Sequence, residues 1–122
     1  MRVFRRRALG SDPVPPSGIR RDDLSVLDAL REMGVELDQP REVEFFLVLP
    51  SSPAAAAAAE DASAEGWAVE VQEPSPEDGS ATWDVICQRP DAVLTQDFVR
   101  DTRKRFTTLA ARHGGDLDGW QA

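Results

Sequence analysis

His113 and Cys87 are the only histidine and the only cysteine of the chain, so they are the first candidates for catalysis or metal binding. A metal site needs several ligands, and His113 has no second histidine or cysteine to share a metal with. Cys87 falls on the apolar register of a predicted strand, where a thiol is usually buried and inert. The sequence also has no Walker loop and no G-x-G-x-x-G pattern for phosphate binding. It therefore predicts no enzyme, no catalytic residue, no metal and no cofactor.

Carboxylates are the abundant ionisable groups of the chain, and they are unevenly distributed. The chain has 122 residues, with 22 acidic and 14 basic side chains and a net charge of −8. Six arginines against Asp12 give residues 1–21 a net charge of +5, which leaves −13 on residues 22–122. So acidic a domain repels nucleic acid and favours a basic protein partner. The open alternative is that the acidic groups only keep the domain soluble.

Residues 1–21 are predicted to be a disordered basic arm, because Arg5-Arg6-Arg7 and the Gly-, Pro- and Ser-rich residues 10–18 cannot form a core. No apolar run follows the arginines, so the arm does not resemble a signal peptide, and a cytoplasmic location is expected. No run approaches the roughly 18–20 apolar residues of a membrane-spanning helix. The arm is a solvated tail or contacts anionic lipid, RNA or the chain's own acidic domain. Residues 22–122 form the one folded domain.

The first half of this domain contains two helices and one strand. Asp22 can cap a helix over 22–33 that ends at Gly34. Its apolar stripe consists of Leu24, Leu27, Leu30 and Met33. Arg41–Leu49 alternates as a strand before Pro50. Ser52 and Pro53 then begin an alanine-rich helix that ends at Gly66.

The second half adds a hairpin, a helix and a short strand. Residues 67–73 and 80–89 alternate around an Asp-Gly turn, and Pro90 ends the second strand. Thr95 caps a helix that ends at Gly114, and a strand at 118–121 completes the order β-α-β-β-α-β. This order predicts an α+β fold of the ferredoxin-like, split βαβ type, with an antiparallel sheet, helices on one face and an extra N-terminal helix.

Strand alternation divides the predicted sheet into two unlike faces. If the helices cover the apolar face, the opposite face presents acidic and amide groups around Phe46, Val48 and Ile86. Such a surface suits an arginine-rich peptide, because arginine stems pack on apolar groups while guanidiniums pair with carboxylates. The candidate partner-binding residues are Glu42, Glu44, Phe46, Glu70, Gln72 and Asp84. The alternative is that the N-terminal helix covers the apolar part of this face.

The end of the domain carries its most specific motif, Gly114-Gly115-Asp116-Leu117-Asp118-Gly119-Trp120. With Leu27-Asp28-Ala29-Leu30 before Gly34, it makes residues 22–120 resemble the family of regulators of ribonuclease E activity, B type (RraB). That family has the terminal glycine pair followed by Tyr-Asp-Gly-Trp, and Leu117 stands here in place of the tyrosine. The motif residues carried over are Gly114, Gly115, Asp118, Gly119 and Trp120.

The resemblance implies a ferredoxin-like fold and a non-enzymatic protein that restrains RNA decay by binding the arginine-rich half of ribonuclease E. An immunity or antitoxin-like acidic binder of another basic protein is the alternative, and a small-ligand domain or an enzyme is the third possibility. Trp120 is either an anchor of the core or a partner-facing residue. Ferredoxin-like domains can pair through sheets or edges, so a homodimer remains possible.

Overall fold

The computed structural model describes residues 4–6, 21–75 and 81–122. Within these residues five strands and three helices follow one another along the chain. Their order is β1 (Phe4–Arg6), α1 (Arg21–Glu32), β2 (Arg41–Leu49), α2 (Ser52–Ala64), β3 (Ala68–Gln72), β4 (Trp83–Ala92), α3 (Gln96–Arg112) and β5 (Asp116–Gln121). Of the predicted basic arm, only β1 and the first residue of α1 are described, and the rest lies outside the described residues.

All strand pairs in the sheet are antiparallel, and the strand order is β1-β5-β2-β4-β3. The predicted α+β class with an extra N-terminal helix is confirmed. β2 lies between β4 and β5, so the first and last long strands of the domain pair with each other. The ferredoxin-like assignment itself stays a prediction.

Local signals set most helix ends. The Ser51 hydroxyl accepts a hydrogen bond from the Ala54 N–H at 3.3 Å, so the cap of α2 lies one residue before the predicted Ser52. Thr95 caps α3 as predicted, because its Oγ1 accepts from the Phe98 N–H at 3.0 Å. Gly34 and Gly66 follow α1 and α2 with φ of 83° and 93°, a backbone region that favours glycine.

The boundaries of β3, β4 and β5 differ from the prediction, and β4 begins at Trp83 rather than at residue 80. β4 continues through Pro90 to Ala92, although Pro90 was expected to end it. The register between β2 and β4 shifts between Arg41 and Val43, so Pro90 lies at an irregularity where its missing N–H interrupts no regular ladder. β5 begins at Asp116, two residues before the predicted start.

The core lies between the helices and one face of the sheet, and an aromatic cluster occupies its centre. The Phe45 ring stacks on the Trp120 ring at 5.8 Å between centroids and packs beside the Phe106 ring at 5.2 Å. The Trp67 ring meets the Phe106 ring edge to face at 4.9 Å. These contacts join β2, β5 and α3 with the residue that precedes β3.

The predicted apolar stripe of α1 is wrong at one end. Leu27 and Leu30 are buried as expected, but Val26 is buried as well and Met33 is 40% exposed. The helix ends at Glu32, and the Met33 N–H still donates to the Ala29 carbonyl at 3.1 Å, but the Met33 side chain at this helix end is left largely outside the core. α1 therefore joins the core through Val26, Leu27 and Leu30.

Candidate protein-binding surface

The two faces of β2 have opposite environments. Val43, Phe45, Leu47 and Leu49 are buried against the helices, whereas the residues that alternate with them are partly exposed. No helix of the described chain packs on this second face, since the buried residues of α1, α2 and α3 all belong to the core on the other side. One broad side of the sheet is therefore not covered by these helices.

We call this side the acidic face, and it is organised in rows across the strands. Phe46 pairs with Ile86, which pairs with Glu70 in β3. One row further along, Val48 pairs with Asp84, which pairs with Gln72. The row on the other side places Glu44 beside Gln88 and Ala68. The acidic face thus consists of Glu42, Glu44, Phe46, Val48, Ala68, Glu70, Gln72, Asp84, Ile86 and Gln88.

The structure brings all six candidate partner-binding residues onto this one face. Glu44, Phe46, Glu70, Gln72 and Asp84 belong to the three rows, and strand alternation puts Glu42 next to Glu44. The apolar residues form a strip through the middle, with carboxylates on both sides of it. The expected combination of an apolar centre and surrounding acids is present, while its role in binding stays a prediction.

The first helix does not cover the apolar strip. Asp23 of α1 accepts hydrogen bonds from Arg103 of α3 and from Trp120 of β5, on the side of the sheet where the helices pack. Val26 and Leu27 of α1 lie in the same core as Phe45. The alternative in which α1 shields Phe46, Val48 and Ile86 is therefore wrong.

β5 extends the acidic face in a way that the sequence analysis did not recognise. Asp116 pairs with Val48, and Gln121 pairs with Glu44. The Gln121 side chain donates a hydrogen bond to Oε1 of Glu44 at 2.8 Å. The alternation in residues 116–121 could have revealed this, but a shift in register between Phe46 and Leu47 interrupts the simple pattern.

The acidic face is shallow. A depression on it has a volume of about 80 Å³ and is lined by Glu44, Ala68, Val69, Glu70, Ile86 and Gln88. Sites for small molecules usually enclose roughly 300–1,000 Å³. The depression has room for a single side chain rather than for a substrate or cofactor.

The positive charges of the domain lie elsewhere. In residues 22–122 all arginines and lysines except Arg41 and Arg89 belong to α1 or α3. The Arg89 guanidinium packs over the Trp67 ring, 4.1 Å from its centroid. On the helical side they neutralise acids: Arg105 binds Glu65, and Arg112 lies 3.3 Å from Asp61. The hydrogen bond to Glu65 raises the pKa of the Arg105 guanidinium. The acidic face carries the carboxylates of Glu42, Glu44, Glu70 and Asp84, whereas the ion pairs described here lie on the helical side.

Cys87 and His113, the two residues first considered for catalysis, are held in contacts within the fold. Cys87 is fully buried in the sheet, and this burial, with a smaller effect from Glu65, raises the pKa of its thiol to about 12. His113 Nε2 lies 2.7 Å from Oδ2 of Asp61, and this hydrogen bond lowers the pKa of that carboxyl. In residues 4–6, 21–75 and 81–122 no group of three or more metal-ligating side chains is arranged to hold an ion.

The glycine pair of the terminal motif turns the chain from α3 into β5 at a point of close packing. Gly114 has a φ of 79°, which disfavours any residue with a side chain. A Cβ on Gly115 would overlap the carbonyl oxygen of Val48 and would lie 2.5 Å from Cδ1 of Leu49. Trp120 is fully buried and donates its indole N–H to Asp23. The motif therefore closes the core, and Trp120 does not face a partner.

Comparison with protein families gives a match over nearly the whole chain. The model of the family described as RraB, regulator of ribonuclease activity B, matches residues 20–122. The chain belongs to the RraB family. A search of curated proteins found no match. The RraB match begins just before α1 and ends with the chain, so β1 lies outside it.

Membership in the RraB family makes this domain one of a class of ribonuclease regulators. None of the helices in the described part of the chain has the length and apolar character that crossing a membrane requires. The RraB match includes α1 and the terminal motif as well as the strands that form the acidic face.

Proposed function

We propose that this RraB domain regulates a ribonuclease, in the first instance ribonuclease E, by binding an arginine-rich segment of the nuclease on the acidic face. The domain acts without catalysis of its own. The single observation that supports the proposal best is the row of Phe46, Ile86 and Glu70, which places an apolar surface directly beside a carboxylate. Family membership supplies the class of target.

An arginine side chain has two parts, and the acidic face offers a contact for each. The aliphatic stem can lie on Val48 and Ile86, whose side chains are on the face of the sheet that the helices do not cover. The guanidinium can then pair with Glu70 or Asp84, which lie one position away across the strands. Lysine fits this arrangement less well, because its ammonium cannot form a bidentate pair with a carboxylate.

A net charge of −13 on residues 22–122 makes RNA itself an unfavourable ligand, since like charges repel. The domain therefore acts on the nuclease rather than on its substrate. Binding to a basic scaffold segment would restrain RNA decay by withholding that segment from RNA or from other proteins. Electrostatic attraction of this kind weakens as salt increases.

The decisive test compares two charge reversals in the full chain. Glu70→Lys with Asp84→Lys changes the acidic face, whereas Glu60→Lys makes the same kind of change on the exposed side of α2. Calorimetric titration with ribonuclease E of the same organism should show at least about tenfold weaker binding for the first variant. Glu60→Lys should bind as the unaltered chain does.

Equal binding by all three proteins would show that the acidic face is the wrong surface. No binding by the unaltered chain at low salt would exclude ribonuclease E as the target. In that case co-purification from native cells, followed by mass spectrometry, would distinguish another ribonuclease from the basic partner of an immunity-like protein. Circular dichroism of each variant confirms that the fold is intact.

A further inference from the structure

The edge of the sheet beside β5 is occupied by the chain's own arginine-containing strand. β1 has the sequence Phe4-Arg5-Arg6 and pairs antiparallel with β5. The Cα partners are Phe4 with Gln121, Arg5 with Trp120 and Arg6 with Gly119. A short basic segment in extended conformation therefore lies along the edge that borders the acidic face.

β1 lies outside the part of the chain that the RraB family model matches. The RraB match begins at residue 20, and all elements from α1 to β5 fall within it. In the matched domain alone β5 is the outermost strand next to β2, so its outer edge would offer backbone donors and acceptors to another strand. β1 uses this edge over only three residues and pairs with 119–121, which is half the length of β5.

The surroundings of this edge are negatively charged. Asp116 and Asp118 lie along β5, and Glu44 of β2 pairs with Gln121. A basic strand added at this edge would run beside these carboxylates while its backbone bonds to β5. Addition of a strand to an exposed edge is a general way to bind a peptide, in which main-chain hydrogen bonds give affinity and side-chain charge gives specificity.

On the basis of the function proposed above, we propose that one stretch of the arginine-rich segment of the nuclease binds as an added strand on β5, in the place that β1 occupies, while another stretch of the same segment contacts Glu70 and Asp84 on the acidic face. β1 is then an internal competitor that the partner must displace. The partner is a protein segment in extended conformation with arginine at alternate positions, so that one row of guanidiniums faces the acidic side of the sheet.

A disulfide that fixes β1 to β5 tests this competition in the full chain. Phe4 and Gln121 are antiparallel partners, whose Cα separation of roughly 4.5–5.5 Å falls in the range that a disulfide spans. Binding by the double variant Phe4→Cys with Gln121→Cys is compared between its oxidised form, which holds the bridge, and its reduced form, which does not. Cys87 is buried and does not compete for the bridge.

Two ligands are titrated in turn. The first is a short synthetic peptide of alternating arginine and valine, and the second is the basic segment of ribonuclease E. The oxidised variant should bind either ligand at least about tenfold more weakly than the reduced variant. Equal affinities in the two redox states would overturn the displacement of β1 and leave the proposed function intact. Absence of binding by the unaltered chain would overturn the proposed function itself.

A second variant covers the case in which the bridge does not form. Phe4→Pro removes a backbone N–H and disfavours β1 without changing any charge. It should bind the arginine–valine peptide more tightly than the unaltered chain does, because the competitor is weakened. The same affinity, or a lower one, contradicts the proposal. A peptide of alternating glutamate and valine should not bind any of these proteins.

Discussion

Trp120 and Asp23 are joined by a hydrogen bond across 97 positions of the chain. The indole Nε1–H of Trp120 donates to Oδ1 of Asp23 at 2.8 Å, and both residues are almost completely buried. Arg103 completes the arrangement with two hydrogen bonds to the same carboxylate, at 2.7 and 2.8 Å. This contact ties the N-terminal helix to α3 and to the last strand, and it explains why Trp120 of the terminal motif is a core residue.

Removal of the Asp23 carboxylate should be among the most destabilising single changes. Asp23→Ala leaves Arg103 and the Trp120 indole without their acceptor, and breaking a buried ion pair in this way costs roughly 3–5 kcal/mol. Urea unfolding would measure the change. Asp28→Ala is the matched control on the same helix, because its pair with Arg31 is exposed and should contribute less than about 1 kcal/mol. Equal losses for the two variants would contradict the structural role of Asp23.

Trp120→Phe separates the hydrogen bond from the packing of the ring. Phenylalanine retains an aromatic ring next to Phe45 but lacks the N–H that Asp23 accepts. The loss of this hydrogen bond, added to the smaller ring volume, should lower the free energy of unfolding by about 2–4 kcal/mol. In a chain that already carries Asp23→Ala, the same substitution should cost clearly less, and full additivity in the double variant would show that the two residues do not interact.

Gly115 of the terminal motif and Gly34, which follows α1, should respond differently to substitution by alanine. At Gly115 a methyl group would overlap the Val48 backbone, which cannot move without disturbing β2, so a loss of about 3 kcal/mol or more is expected. At Gly34 nothing lies within 4 Å, and only the φ of 83° opposes the substitution, which costs about 1–2 kcal/mol. Thermal unfolding of both variants checks this order, and a larger loss at Gly34 would reverse the interpretation.

Cys87 should report on global unfolding. Burial raises the pKa of its thiol to about 12, so near neutral pH the folded protein presents neither an accessible sulfur nor a thiolate. We expect an aromatic disulfide reagent to label Cys87 only after the sheet opens, with a rate that rises with urea in parallel with unfolding. Rapid labelling without denaturant would show that β3 and β4 separate locally.

Asp61 should make stability depend on pH in a defined direction. The hydrogen bond from His113 holds the pKa of this carboxyl below its ordinary value of 3.8 in the folded state. Its contribution to stability is therefore complete above the pKa of the unfolded chain and is lost as the pH falls through the lower pKa of the folded state. In an NMR titration, His113→Ala should raise the pKa of Asp61 toward 3.8, and no movement would contradict the assigned cause.

Much of the domain follows from local patterns. The alternation in Arg41–Leu49 predicts which residues of β2 face the core, because side chains in a strand alternate between two sides whatever the strand pairs with. The caps at Thr95 and the turn at Gly34 depend on backbone geometry within a few residues. For the same reason the six candidate residues of the acidic face could be named before their neighbours across the strands were known.

Other features were missed because they depend on residues far apart in the chain. Helical periodicity suggested that Met33 would be buried, but this residue at the end of the helix is 40% exposed and Val26 takes part in the core. Pro90 was expected to end its strand, and only the pairing with β2 shows the irregularity that accommodates it. The basic residues of β1 were predicted to belong to a disordered arm, because a segment of three residues is too short to show the alternation typical of a strand.

The sequence by itself determined the charge of the domain, the alternation of its strands and the resemblance of its terminal motif, because composition and short-range periodicity survive without any tertiary contact. Only the tertiary structure decided that α1 packs on the helical side, that Asp23 is buried against Trp120, and that β1 lies on β5. These three outcomes join residues about a hundred positions apart. Such contacts are selected by the packing of the whole core, and no local pattern encodes them.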